Sequence, residues 1–197
     1  MSIQSQQALL DTLDEGRTFD FTFFWGHRPT PDGRIGPSCC SQWFDAGFTL
    51  DGVRYPTAEH FMMAEKARLF GDQETLARIL QARTPQDAKG LGRKVRHFDS
   101  AAWEARAFDC VVQGNLAKFS QNPRLGAWLR SSVPSVLVEA SPEDAIWGIG
   151  LHRDDPRAQD PRQWEGKNLL GFALMVVRDE LMEHRATVAP DHLRARG

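Results

Sequence analysis

Pro56-Thr57-Ala58-Glu59-His60-Phe61-Met62-Met63-Ala64-Glu65-Lys66-Ala67-Arg68-Leu69-Phe70 is the stretch that decides how this chain is organised. Pro56 and Thr57 open a helix that runs to about Phe70, with Thr57 as its N-cap and Gly71 as its stop. Threonine suits that position because its hydroxyl accepts a hydrogen bond from a free N–H of the first turn. Phe61, Met62, Ala64 and Leu69 form the face expected to pack. Glu59 falls in the first turn, where unpaired N–H groups and the positive end of the helix dipole favour an ionised carboxylate. Lys66 follows two turns down the same face, about 10.5 Å along the axis. Long side chains at these two positions can converge on one sugar-sized ligand. The same spacing also fits, and on periodicity alone fits better, two solvated charges opposite a packed face.

Upstream of this helix, Trp43 to Leu50 and Val53 to Tyr55 flank Asp51-Gly52, a strong hairpin signal. Phe19-Asp20-Phe21-Thr22-Phe23 alternates as a half-buried strand does. Between them lies a Gly- and Pro-dense loop from Gly26 to Pro37, and loops of that length in small domains are often functional. Downstream, Asp72 caps a helix to about Ala82, and Thr84-Pro85-Gln86-Asp87 starts another. Asp99-Ser100 precedes the longest helix, to about Phe119, with Trp103, Ala107, Cys110, Gly114 and Ala117 at helical spacing. Asn122-Pro123 opens a helix to about Arg130, Val136-Leu137-Val138 is a short strand, and Asp144 to Leu151 is irregular. An apolar helix from Leu169 to about Met182 closes the pattern. The whole is an α+β chain: a mainly helical single domain with a small sheet over 19–183. It is preceded by a tail or short helix over 1–18 and followed by a flexible tail over 184–197.

With 197 residues, the chain is long enough for one substantial core. Its 41% apolar and 25% charged residues are ordinary for a globular domain. A net charge of -2 gives no global attraction to nucleic acid or an anionic membrane, so anion binding needs a local patch. Cys39, Cys40 and Cys110 are odd in number and two are adjacent, which suits reduced thiols rather than a disulfide framework. Neither these cysteines nor the six histidines have zinc-site spacing, so no metal is expected. The N-terminus lacks a signal pattern, and no apolar run approaches the ~20 residues of a membrane helix; the cytoplasm is the expected location.

Two further segments carry candidate chemistry. Lys89, Arg93, Lys94, Arg96 and His97, interleaved with Gly90 and Gly92, suit a nucleotide phosphate, since glycines admit backbone N–H groups and arginine grips phosphate bidentately. A solvated helix face explains the same charges. Asp144, shortly before Trp147 and Gly148, can hold a ribose hydroxyl or a water beside a stacking surface, and glycoside chemistry commonly pairs carboxylates. Turn chemistry alone favours a turn aspartate and a core tryptophan. There is no P-loop, no G-x-S-x-G elbow, no HExxH and no G-x-G-x-x-G.

In order, Phe23-Phe24-Trp25-Gly26-His27-Arg28, the segment Tyr55 to Ala67, Gly92-Arg93-Lys94, Gly114-Asn115-Leu116-Ala117-Lys118-Phe119, Asp144-Ala145-Ile146-Trp147-Gly148-Ile149-Gly150 and Asn168-Leu169-Leu170-Gly171 resemble the motifs of the NADAR (YbiA-like) family. The resemblance spans about residues 21 to 180. It implies an α+β fold and hydrolysis of N-glycosidic bonds without metal or organic cofactor. It implies substrates such as ADP-ribosylated guanine, free or in DNA or RNA, or the phosphoribosyl aminopyrimidines of riboflavin synthesis. Carried over by position, the family's acid falls on Glu59, its lysine on Lys66, its helix-start tryptophan on Trp103 and its later aspartate on Asp144. Arg93 and Lys94 would then hold phosphate, with Trp147, Gly148 and Arg28 completing the substrate site. Lys66 would act as an acid toward the leaving nitrogen or attack the anomeric carbon. A module that binds ADP-ribose or a nucleotide without turnover is the alternative.

Overall fold

A computed structural model of the chain describes residues 3–188. Its helices are α1 (Gln6–Asp14), α2 (Ala58–Leu69), α3 (Gln73–Leu80), α4 (Pro85–Gly92), α5 (Ser100–Gln121), α6 (Pro123–Ser131) and α7 (Leu169–Val188). Its strands are β1 (Phe21–Phe24), β2 (Phe48–Leu50), β3 (Val53–Tyr55) and β4 (Val136–Glu139). The fold is mainly helical α+β, as the sequence implies. The N-terminal segment is a helix capped by Ser5 rather than a loose tail. α7 continues past 183 to Val188; the rest of the expected C-terminal tail lies outside the described residues.

The strands do not form one sheet. β2 and β3 make the hairpin, and Asp51 (φ 50°) and Gly52 (φ 76°) have the paired positive φ of the turn that matches strand twist. β1 instead pairs in parallel with β4, from Phe21 opposite Val136 to Phe24 opposite Glu139. Trp43, expected in a strand, sits in a turn before β2 because the Ser41 hydroxyl takes its backbone N–H at 3.1 Å.

α2 is the central helix. It packs against α3, α4 and α5, while α7 covers α5 and β4. Thr57 caps it as expected. Ala58 through Ala64 are all buried, so its first two turns have no solvent face, and the expected packing residue Leu69 is exposed at the far end. His60 is held by Thr57 Oγ1 at 2.8 Å and by the Ala82 carbonyl at 3.2 Å, which ties α2 to the loop before α4. Asp72 caps α3 and also accepts from the backbone N–H and guanidinium of Arg96. Those bonds hold its carboxyl well below the usual carboxylate range and fix the loop leading to α5. From α5, the fully buried Lys118 donates to the Cys39 and Ser41 carbonyls at 2.7 and 2.8 Å, with burial lowering its pKa to about 8. It thereby anchors the 3-10 turn Pro37–Cys40 at the end of the long early loop.

Candidate functional site

Because β1 and β4 run in parallel, their carboxyl ends lie side by side, and the chain leaving each builds one wall of a cleft of about 410 Å³. Trp25, Gly26 and His27 follow β1; Glu139 ends β4 and is followed by Ser141, Glu143, Asp144 and Trp147. Across from them stand Glu59 and Met62 of α2, Lys89 of α4, Arg93 at its C-cap, and Trp43. Four carboxyls, two cations and three tryptophans thus share one cleft.

Glu59 is buried, and its backbone N–H donates to the Gln42 carbonyl at 3.0 Å. Its carboxyl accepts from the Trp43 side chain, yet burial raises its pKa to about 7, with Asp144 adding to the rise and Lys89 and Arg93 opposing it. The first-turn position therefore does not keep Glu59 fully ionised, as the sequence suggests it should; loss of water outweighs the helix terminus. Asp144 is half-buried, and its Oδ1 accepts from the backbone N–H groups of Ile146 (2.9 Å) and Trp147 (2.7 Å). It is a turn aspartate and a cleft residue at once. Burial raises Glu139 further, to about 8, with Asp144 and Glu59 adding to the rise and Lys89 opposing it.

Trp43 is the hub of the aromatic wall. His27 lies 5.6 Å from it, centroid to centroid, and Lys89 Nζ 5.8 Å from its centroid. Next to the cleft, and sharing Trp43, Lys89, Arg93 and Glu143 with it, is a second cavity of about 630 Å³ that includes Gly90 and Lys94. Lys89, Arg93 and Lys94 thus gather on one side. Arg96 does not join them, being committed to Asp72 and Glu74. Gly92 does not serve an anion either: a Cβ there would come within 2.1 Å of Met63 Sδ, so its bareness lets α4 approach α2.

Lys66 is not part of the cleft lining. Its Nζ lies 4.0 Å from the Phe98 ring centroid and 5.8 Å from that of Trp103, half-buried, with burial lowering its pKa and Glu59 acting the other way. Trp103 accordingly stands beside Lys66 rather than in the cleft. Arg28 is exposed, one residue beyond His27. Gly148 is buried; a Cβ there would meet the carbonyls of Asp144 and Glu139 at 2.8 and 2.9 Å, so it closes the loop that carries Asp144. Glu139 and Trp43 escape sequence reasoning, although a glutamate ending the apolar run Val136-Leu137-Val138 is a detectable signal. Among the described residues, no group of three or more His, Cys, Asp or Glu side chains is arranged to hold a metal ion, and no helix is long and apolar enough to cross a membrane.

Residues 23–182 match the NADAR domain family, and the chain belongs to that family. It is 41% identical over 168 residues to N-glycosidase R617 of Acanthamoeba polyphaga mimivirus, covering 83% of this chain and 97% of that protein. It is 33% identical over 132 residues to N-glycosidase YbiA of Escherichia coli K12, covering 67% of this chain and 74% of the relative. The NMR structure of E. coli YbiA superposes with a TM-score of 0.69 at 26% identity, covering 87% of this chain and 90% of that one.

Proposed function

We propose that this protein is an N-glycosidase that hydrolyses the bond between ribose and a nitrogen base in nucleotide-type substrates. The observation that carries this reading is the gathering, within one cleft, of Glu59, Glu139 and Asp144 with Lys89 and Arg93. Cleavage of an N-glycosidic bond develops positive charge on the ribose, and a nearby carboxylate lowers the energy of that transition state. Glu59 and Asp144 fill this role, with the free oxygen of Asp144 orienting a ribose hydroxyl or the attacking water. Arg93 and Lys89, with Lys94 further along, hold phosphate and use remote binding energy to position the reacting carbon. Trp43, Trp25 and Trp147 offer faces for the base. Lys66, desolvated beside Phe98 and Trp103 outside the cleft lining, acts electrostatically on Glu59, or as a proton donor or nucleophile where a bound ribose reaches it.

The substrates that fit are ADP-ribosylated guanine and phosphoribosyl aminopyrimidines, which share a ribose, a leaving nitrogen and phosphate. Names of relatives that specify N-glycosidases support the reaction class. The test is incubation of the full chain with each substrate, with products read by liquid chromatography and mass spectrometry. Release of free base and its ribosyl partner is expected from at least one. Tight binding of both without any release would leave a nucleotide-binding module in place of an enzyme.

A further inference from the structure

Glu139 enters the cleft from a backbone held on both sides. Its N–H donates to Asn168 Oδ1 at 2.9 Å, its carbonyl accepts from the Ile149 N–H at 2.9 Å, and β1 runs alongside. Its Oε2 is buried and has no hydrogen-bond partner. A buried carboxyl oxygen left unpaired costs free energy, and the residue that carries it lines the cleft.

The groups around it are Glu59 from α2, Glu143 and Asp144 from the loop after β4, Lys89 and Arg93 from α4 and its end, and His27 from the loop after β1. Of these acids Glu139, Glu59 and Asp144 act on one another, and they cannot all ionise without mutual repulsion. Hydrogen bonds decide which of them keeps a proton. Asp144 accepts from two backbone N–H groups and Glu59 from the Trp43 side chain, and both arrangements favour the carboxylate. Glu139 Oε2 receives no such bond.

Resting on the N-glycosidase reading, we infer that Glu139 is the general acid of this site, donating its carboxyl proton to the leaving nitrogen of the base. As the bond from the anomeric carbon to nitrogen breaks, its electron pair goes to nitrogen, which takes the proton from Glu139. Water adds to the ribosyl cation, and the proton that water sheds returns to the Glu139 carboxylate. One water is consumed, and free base and ribose-phosphate product are formed. Burial, which raises Glu139 to about 8, keeps the acid loaded near neutral pH, where a general acid works best.

Glu139→Gln tests this, because glutamine keeps the size and a hydrogen-bond donor but cannot release a proton. With the nucleotide substrate that wild type cleaves, kcat should fall by ~10²-fold or more while KM moves little, the scale of losing a general acid. The alkaline limb of the wild-type pH profile should disappear. A ribose 5-phosphate carrying p-nitrophenol as leaving group departs without protonation, so the variant should lose less than ~10-fold on it. Retained activity there also certifies the folded site. Glu139→Asp should keep the alkaline limb and part of the rate. Near-wild-type kcat in Glu139→Gln, an unchanged alkaline limb, or equal losses on both leaving groups would overturn the assignment. Failure of wild type to release any base would instead remove the N-glycosidase reading, and this inference with it.

Discussion

The Asn168 side chain takes the place of a neighbouring strand for Glu139. Its Oδ1 accepts from the Glu139 N–H and its Nδ2 donates to the Leu137 carbonyl, both at 2.9 Å. Asn168 itself is fully buried with φ 53°, a conformation asparagine tolerates better than most residues. Asn168→Ala would leave a buried donor and a buried acceptor unpaired and put a Cβ-only residue in a left-handed position. We expect a loss of about 2–4 kcal/mol in denaturant unfolding, together with a fall in kcat from a displaced Glu139. Unchanged stability would show that water replaces both bonds.

The cleft acids set a pH signature on stability. Glu59 and Glu139 titrate near 7 and 8 in the folded protein, against an ordinary value of 4.5. The folded state therefore binds more protons than the unfolded state between roughly 4.5 and 8, and stability falls as pH rises through that window. Glu139→Gln should match wild type in Tm near pH 4 and exceed it at pH 8.5, by roughly 2–4 °C for each kcal/mol of relieved burial. A Tm difference that does not grow with pH would contradict the assigned environment. The same acids set a narrow bell for kcat, rising with Glu59 and falling with Glu139, with apparent values belonging to the coupled set.

Arg93→Ala should act on binding. It lines both the cleft and the adjoining cavity beside Lys89, so its contribution is remote from the reacting carbon. The expected result is a KM at least ~10-fold higher with a smaller loss in kcat. An unchanged KM for phosphorylated substrate would take phosphate away from this wall.

Glu59 and Lys66 test the chemistry along α2. Glu59→Gln should bind substrate nearly as well and lose ~10²-fold in kcat, the scale of one electrostatic stabiliser. Lys66→Ala should remain folded, because the amine is half-buried beside the exposed Phe98, and should be nearly inactive. Borohydride added during turnover then assigns the role: a trapped sugar adduct on Lys66 identifies a nucleophile and displaces direct attack by water, and its absence leaves Lys66 an electrostatic group acting on Glu59. Near-wild-type turnover by both variants would remove α2 from the site.

Local chemistry made most of the fold legible. Thr57, Asp72, Thr84 and Asp99 each accept a first-turn N–H, as their residue types foretell, and Asp51-Gly52 forms the hairpin turn. Pairing of β1 with β4 was not legible, because nothing in Phe21–Phe24 specifies a partner that late in the chain. The site divided the same way. Glu59, Arg93 and Asp144 stand on motifs and come together in the cleft. Glu139 reaches it only through the unforeseen parallel pair, and Trp43 only through a turn held by Ser41. Lys66 shows the limit of helical spacing: positions two turns apart share a face, but Phe98 claims the amine.

Lys118 gives the long early loop a particular freedom. Its ammonium grips the carbonyls of Cys39 and Ser41 just past the loop, while Phe24 is fixed in β1 just before it. The segment from Gly26 to Pro37 is thus strung between two moorings, and Trp43 hangs from the second. Changes confined to the part of that segment beyond His27 leave the moorings, and Trp43 against Glu59, in place. Substrate preference can drift at the mouth of the cleft while the machinery beneath it stays where it was.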